Sequence, residues 1–237
     1  MRLATWNVEW AEPATSRGNR VRAVIDSLGA SVIVLTEGCR DLLPAGNSID
    51  GGDDWGYPLL DARRRKVLIW SKYPMTPITV EVASQYPQGR LAIARVDEPA
   101  MSVTVVAVCI PWRDAHVRSG RRDRARWEDH LSFITCLHEV IGALDPPYII
   151  AGDFNQRIPA KNQPKHVSAA LSSALSGLDV PTAGEMERPL IDHIALSADL
   201  VCSDLQIVSD SDSRGRLTDH QGAVAEIHIR QKPLSPR

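Results

Sequence analysis

Between Arg2 and Trp10 apolar and polar side chains alternate closely enough to predict a strand. In the following NRVRAVIDSLGA, Val21, Val24, Ile25 and Leu28 share one helical face and Gly29 closes the run. The β-branched run SVIVLTE predicts a second strand, so the chain opens as strand, helix, strand with the carboxylate of Glu37 at the exit. The turn-rich segment LPAGNSIDGGDDWGYP predicts a long surface loop. Beyond it KVLIWSKYPM, PITVEVAS, GRLAIARV and MSVTVVAVCIPW predict closely spaced strands, which favours antiparallel pairing within a mixed fold. From about Arg121 to Leu144 the pattern is helical, with Trp127, Leu131, Ile134, His138 and Ile141 as the apolar stripe and His138 expected in the core; the prolines of DPP end it. YIIA predicts a buried strand, HVSAALSSALSGL a short helix, and PLIDHIALS, DLVCSDLQIVSD and GAVAEIHI the closing strands. With no repeat and no linker, the expectation is one domain over residues 1–230 and a loose tail at 231–237.

Composition adds bounds. A chain of 237 residues, 43% hydrophobic, suits one sizeable core. With 27 basic and 29 acidic residues the net charge of -2 excludes a global pull toward nucleic acid or anionic lipid, so any polyanion has to be gripped locally. Cys39, Cys109, Cys136 and Cys202 lie far apart without a CxxC pair, which points away from a zinc site or disulfide scaffold and toward reduced thiols in a cytoplasmic protein. The opening MRLATWNVEW enters a strand pattern at once, so no secretory leader is expected, and no run reaches membrane-spanning length. No membrane insertion and no obligate protein partner are expected.

The chemistry gathers at strand ends. In YIIAGDFN an extended backbone turns Asp153 and Asn155 to one side and Phe154 to the other. A carboxylate accepts a proton from water or orients it, and an amide donates to a phosphate oxygen, a pairing suited to attack on phosphorus. Asn7 and Glu9 in TWNVEW, Glu37 in VLTE, Asp192 in LIDHIALS, and Asp219 with His220 in LTDHQGAV occupy similar places. Such residues are poor choices for core strands unless the ends converge on a site.

These segments resemble the endonuclease/exonuclease/phosphatase superfamily, whose fold is shared by exonuclease III, deoxyribonuclease I and inositol polyphosphate 5-phosphatases. A WN strand, a strand ending in glutamate, GDxN, xDxI and a terminal [ST]DH occur in family order from residue 5 to residue 220. The resemblance implies a deoxyribonuclease I-like fold: a two-sheet, four-layer α/β sandwich of mixed, mostly antiparallel sheets with helices outside. It also implies water attack on a phosphate ester with Mg²⁺ or Mn²⁺, for which hard oxygen ligands are suited. By position, Glu37 matches the principal metal carboxylate, with Glu9 and Asp219 beside it, and Asp153 matches the residue that orients or deprotonates the water. Asn155 and Asn7 match amides that hold the phosphate and the site, His220 the phosphate-contacting or proton-moving histidine, and Asp192 the carboxylate that fixes it.

The chain departs from the family in VCIPWRD, where Cys109 stands at a histidine or tyrosine position and Trp112 at a polar one, with Pro111 kept. Arg113 or His116 would then have to contact the phosphate, and Trp112 would offer a ring to stack on a base, worth about 1–3 kcal/mol. The arginines of HVRSGRRDRARWEDH read either as a backbone grip or as a solvated face. The leading expectation is a metal-dependent phosphodiesterase acting on DNA or RNA. The alternatives are a phosphomonoesterase or phospholipase-type diesterase on a small or lipid phosphate, and a non-catalytic phosphate-binding module.

Overall fold

A computed structural model describes residues 1–85, 87–184 and 188–231; from residue 232 the expected tail lies outside them. The first half runs β1 (Arg2–Asn7), α1 (Ser16–Ser27), β2 (Val32–Cys39), β3 (Asn47–Asp50), β4 (Arg64–Ser71), β5 (Met75–Pro77), β6 (Leu91–Glu98) and β7 (Met101–Cys109). The second runs α2 (Glu128–Gly142), β8 (Tyr148–Asp153), α3 (Lys165–Ala174), β9 (Asp192–Leu196), β10 (Leu200–Val208), the short pair β11 (Ser211–Asp212) and β12 (Gly215–Arg216), and β13 (Gly222–Ile229).

Strand alternation dictates the layering. In β1, Leu3 faces the interior between the sheets while Ala4 and Trp6 face the outer layer with Val21 and Ile25 of α1. One sheet has the order β10-β13-β1-β2-β4-β3 and the other β5-β6-β7-β8-β9. Leu3, Val34, Val67 and Ile69 of the first meet Val105, Ala107, Ile149 and Ile194 of the second. On the far side of the second sheet Val106, Val108 and Ile150 receive Phe133, Leu137 and Val140 of α2 and Leu171 of α3. Each such side chain contributes about 1.5–3 kcal/mol on burial. The result is the expected four-layer sandwich.

Four local readings need correction. The helix expected from Arg121 starts at Glu128, because Trp127 adopts a left-handed backbone with φ 70° that a helix cannot include. Its buried stripe is His130, Phe133, Ile134, Leu137 and Val140, one position off the predicted one, which leaves His138 exposed. Of PITVEVAS only Pro77 lies in a strand; Ile78, Val80 and Val82 cross the outer layer instead, and Ser84 N donates to Glu139 of α2 at 2.9 Å. Asn47–Asp50, within the predicted loop, forms β3 on the sheet edge, its single apolar Ile49 being too little pattern to announce a strand.

Topology then decides where polar ends meet. β1 and β2 are parallel, as are β7 and β8, while β4, β9 and β13 run antiparallel to their neighbours in these pairs. The C-terminal ends of β1, β2, β7 and β8 and the N-terminal ends of β4, β9 and β13 therefore open on one edge of the sandwich.

Candidate active site

At that edge lies a cleft of about 540 Å³ lined by Asn7, Glu37, Asp153, Asn155, Asp219 and His220 among others. Asp153 ends β8 and is 2% exposed. Gly152 before it has φ +139°, and a Cβ there would stand 1.9 Å from the Val108 carbonyl oxygen of β7, so only glycine allows the strands to close beneath the carboxylate. Asn155 reaches the same side as Asp153 by a left-handed turn at φ 50° and not by simple alternation. The turn lets Asn155 N donate to Asp153 Oδ1 at 2.8 Å and Asn155 Nδ2 to Oδ2 at 2.9 Å. Asn7 Nδ2, from the opposite sheet, donates to Oδ2 at 3.1 Å. Phe154 is buried with its ring edge-on to His193.

Beside Asp153, His220 Nδ1 donates to Asp192 Oδ2 at 2.7 Å. One ligating atom from each of Asp153, Asp192 and His220 lies within 4.8 Å of the others. Burial pushes the Asp153 carboxyl up to about 7, with Asp192 and Glu37 adding repulsion against the pull of His220. Burial likewise raises Asp192, against His220. Burial alone would lower His220, but Asp192 and Asp153 overrule it and raise its pKa to about 10. At neutral pH the set therefore holds an imidazolium next to a carboxylate poised to take a proton.

Facing this set, Glu37 sits on a left-handed kink of β2 with φ 50°. Its carboxylate is paired with the ammonium of Lys66 on β4, which lies 5.0 Å from the centroid of the Trp10 ring. Trp10, Glu37 and Asn155, all lining the cleft, each take a left-handed backbone that helps aim the side chain. Asp219 lies on the rim, 3.6 Å from His220 Nε2. Glu9 is directed elsewhere: its carboxylate accepts from Arg216 at 2.7 Å, lies 3.6 Å from Arg17, and is not part of the cleft lining.

Of the residues expected to contact substrate, Trp112 lines the cleft and is 47% exposed. Arg113 is held by Asp114, and His116 is buried against Tyr57 with its Nδ1 accepting from Arg121 N. Arg121 and Arg124 are paired with Asp129 and Arg126 with Asp114, so much of the arginine-rich segment is neutralised within its own loop. Cys109 forms part of the cleft lining as a thiol that burial pushes up to about 12, an inert filler. Sequence reading did not single out Trp10, Trp55, Tyr57, Lys66 or Arg90, which also line the cleft. Lys66 meets Glu37 only once β4 pairs antiparallel with β2, which brings the two side chains together. For Trp55 and Tyr57 there was no signal, as both lie in an irregular loop.

Behind the site a buried chain of polar groups braces the two loops that carry Trp112 and Asn155. His130 Nδ1 meets the Pro111 carbonyl at 2.6 Å and its Nε2 meets the Gln156 amide at 2.7 Å. His193 Nε2 meets the Gln156 carbonyl at 3.0 Å. Burial lowers both histidines to about 4, so each is neutral with one ring N–H to donate.

The sequence model of the endonuclease/exonuclease/phosphatase family matches residues 4–220. The chain belongs to this family. Among curated proteins none matches. Among solved structures, the endonuclease/exonuclease/phosphatase from Beutenbergia cavernae DSM 12333 is 18% identical, with a TM-score of 0.64 over 97% of this chain and 71% of that one. The endonuclease domain of TRAS1, a telomere-specific non-LTR retrotransposon, is 14% identical with a TM-score of 0.66 over 97% and 99%. A 3′ phosphatase, NExo, from Neisseria, bound to a product DNA hairpin, is 19% identical with a TM-score of 0.66 over 96% and 99%. At these identities the likeness establishes the deoxyribonuclease I-like fold. The endonuclease/exonuclease/phosphatase family comprises phosphoester hydrolases.

The donor set suits a hard divalent cation. Glu37 already carries a cation, the Lys66 ammonium. Asp192 Oδ1 is buried without a hydrogen-bond partner among the described residues. Most of the available donors are carboxylate oxygens, the kind a hard divalent cation takes. No helix among the described residues is long and apolar enough to cross a membrane.

Proposed function

We propose that this protein is a divalent-metal-dependent phosphodiesterase that cleaves nucleic acid by direct attack of water. The observation that supports it is the Asp153 carboxylate, buried, clamped by Asn7 and Asn155, and set beside the His220–Asp192 pair in one cleft with Glu37. Glu37, with Asp219 from the rim, would hold a Mg²⁺ or Mn²⁺ ion, which supplies Lewis-acid neutralisation of charge on the phosphate oxygens and the leaving group.

The chain's own residues do the rest. Asp153, its pKa raised to about 7, takes a proton from the water whose oxygen forms the new bond to phosphorus, and the ester P–O bond breaks on the far side. Asn7 and Asn155 hold the Asp153 carboxylate toward the attacking water. His220 lies on the same side as Asp153. An in-line displacement therefore leaves its Nε2–H to a non-bridging phosphate oxygen and not to the leaving group. Asp192 fixes the ring through Nδ1 and keeps it charged. The departing alkoxide takes its proton from solvent water to leave as the alcohol, and no covalent enzyme intermediate forms.

The test is purified protein with Mg²⁺ or Mn²⁺ against plasmid, single-stranded DNA, RNA and bis-nitrophenyl phosphate. Metal-dependent cleavage that is lost in Asp153→Ala is expected. Release of phosphate from monoesters alone would refute the nuclease reading, and binding without turnover would favour a non-catalytic module.

A further inference from the structure

We propose that Arg90 binds a second phosphate of the substrate, separate from the one being cleaved, so that the cleft is built for a chain or nucleotide carrying neighbouring phosphates. This rests on the phosphodiesterase reading and narrows it.

Arg90 immediately precedes β6 and is 5% exposed. Its one hydrogen bond through the guanidinium among the described residues is Nη1 to the Cys109 carbonyl, at 3.3 Å, and no carboxylate of a described residue pairs with it. Its neighbours show the reverse arrangement: Arg113, Arg121, Arg124 and Arg126 are far better solvated, yet each has an acidic partner. A guanidinium cannot shed its charge when buried, so a buried one is ordinarily paired. Arg90 lines the cleft together with Trp55, Tyr57 and Cys109. Arg90 and Trp55 also line a second cavity of about 340 Å³. A buried guanidinium with one carbonyl acceptor and no carboxylate, lining a cleft built around phosphate chemistry, calls for an oxyanion.

Its place in the sheet says which oxyanion. Leu91 is in register with Val108, and Cys109 with Asp153, so Arg90 stands two strands from Asp153. That is about 10 Å across the sheet. Asp192 lies in β9, on the opposite side of Asp153, and holds His220 there. The Arg90 guanidinium rests on the Cys109 carbonyl of β7, across Asp153 from Asp192 and His220, so the two groups address different positions along the cleft. Trp10 and Trp55, stacked with centroids 5.6 Å apart, also line the cleft, and the exposed Trp112 offers a flat face of the kind a base uses.

The experiment uses the full chain with Mn²⁺ and the p-nitrophenyl esters of thymidine 3′-phosphate and thymidine 5′-phosphate, each with and without a phosphate on the other hydroxyl. The second phosphate is expected to lower KM by about tenfold in at least one pair. Arg90→Gln should remove that advantage and Arg90→Lys keep part of it. In parallel, calorimetry with metal-free protein should show thymidine 3′,5′-bisphosphate binding about tenfold more weakly to Arg90→Gln than to the parent. Equal KM values within both pairs, from an active parent enzyme, overturn the Arg90 assignment and leave the phosphodiesterase reading standing. If no ester is turned over, that reading fails instead, and unchanged bisphosphate affinity in the variants would still reject Arg90. Should thermal unfolding show that Arg90→Gln does not fold, the pair preference of the parent and the Arg90→Lys values decide the matter.

Discussion

Replacing Asp192 with Asn keeps the shape of the side chain and removes its charge. Asp192 is fully buried and meets His220 Nδ1 at 2.7 Å. The rise of His220 from 6.5 to about 10 is worth on the order of 5 kcal/mol, contributed by Asp192 first, then Asp153 and Asp219, against burial. Without Asp192, burial is opposed chiefly by Asp153, so the His220 pKa should fall to or below its ordinary 6.5. At neutral pH the imidazole would then be largely uncharged, and its ring free to take the wrong tautomer. Turnover should drop by about 10²–10⁴. The assay pairs NMR titration of the His220 ring in metal-free protein with the pH–rate profile of the loaded enzyme. A His220 that still titrates above about 9 in Asp192→Asn, or a loss of turnover under about threefold, would refute the assigned coupling.

Asp153→Asn should lower turnover by about 10³ or more while thermal unfolding stays level or improves, since the native carboxyl is held above its ordinary value; a marked loss of stability would show that Asp153 is structural. The metal-free protein should lose stability as pH rises. Asp153 is raised from 3.8 to about 7 and His220 from 6.5 to about 10, so in both windows the folded state binds more protons than the unfolded one. Thermal melts at about pH 5 and about pH 9 should therefore diverge, and Mn²⁺ should raise the melting temperature more at the higher pH; a flat or opposite dependence would count against the raised pKa values. Gly152→Ala should destabilise the chain by about 3 kcal/mol or more, because its Cβ would stand 1.9 Å from the Val108 oxygen at φ +139°; chemical denaturation measures it.

By itself the amino-acid sequence determined the sandwich and the identity of most polar groups at its edge. Short continuous apolar runs such as the YIIA stretch of β8 mark strands buried on both faces, and a carboxylate or amide ending such a run has no packing reason to be there. The helix spanning Glu128–Gly142 was legible too, but not its boundary or face, because a left-handed Trp127 and the sheet beneath α2 choose the stripe. Tertiary structure alone decided which cations reach the cleft. Lys66 and Arg90 are ordinary letters in basic or turn-rich stretches until β4 lies against β2 and β6 against β7. It also decided that Glu9 turns to Arg216 and Arg17, and that Arg121 and Arg124 spend their charge on Asp129. Pairing across long sequence separations is a matter of register and loop path, which local pattern does not encode, whereas the apolar period that builds each strand is written residue by residue.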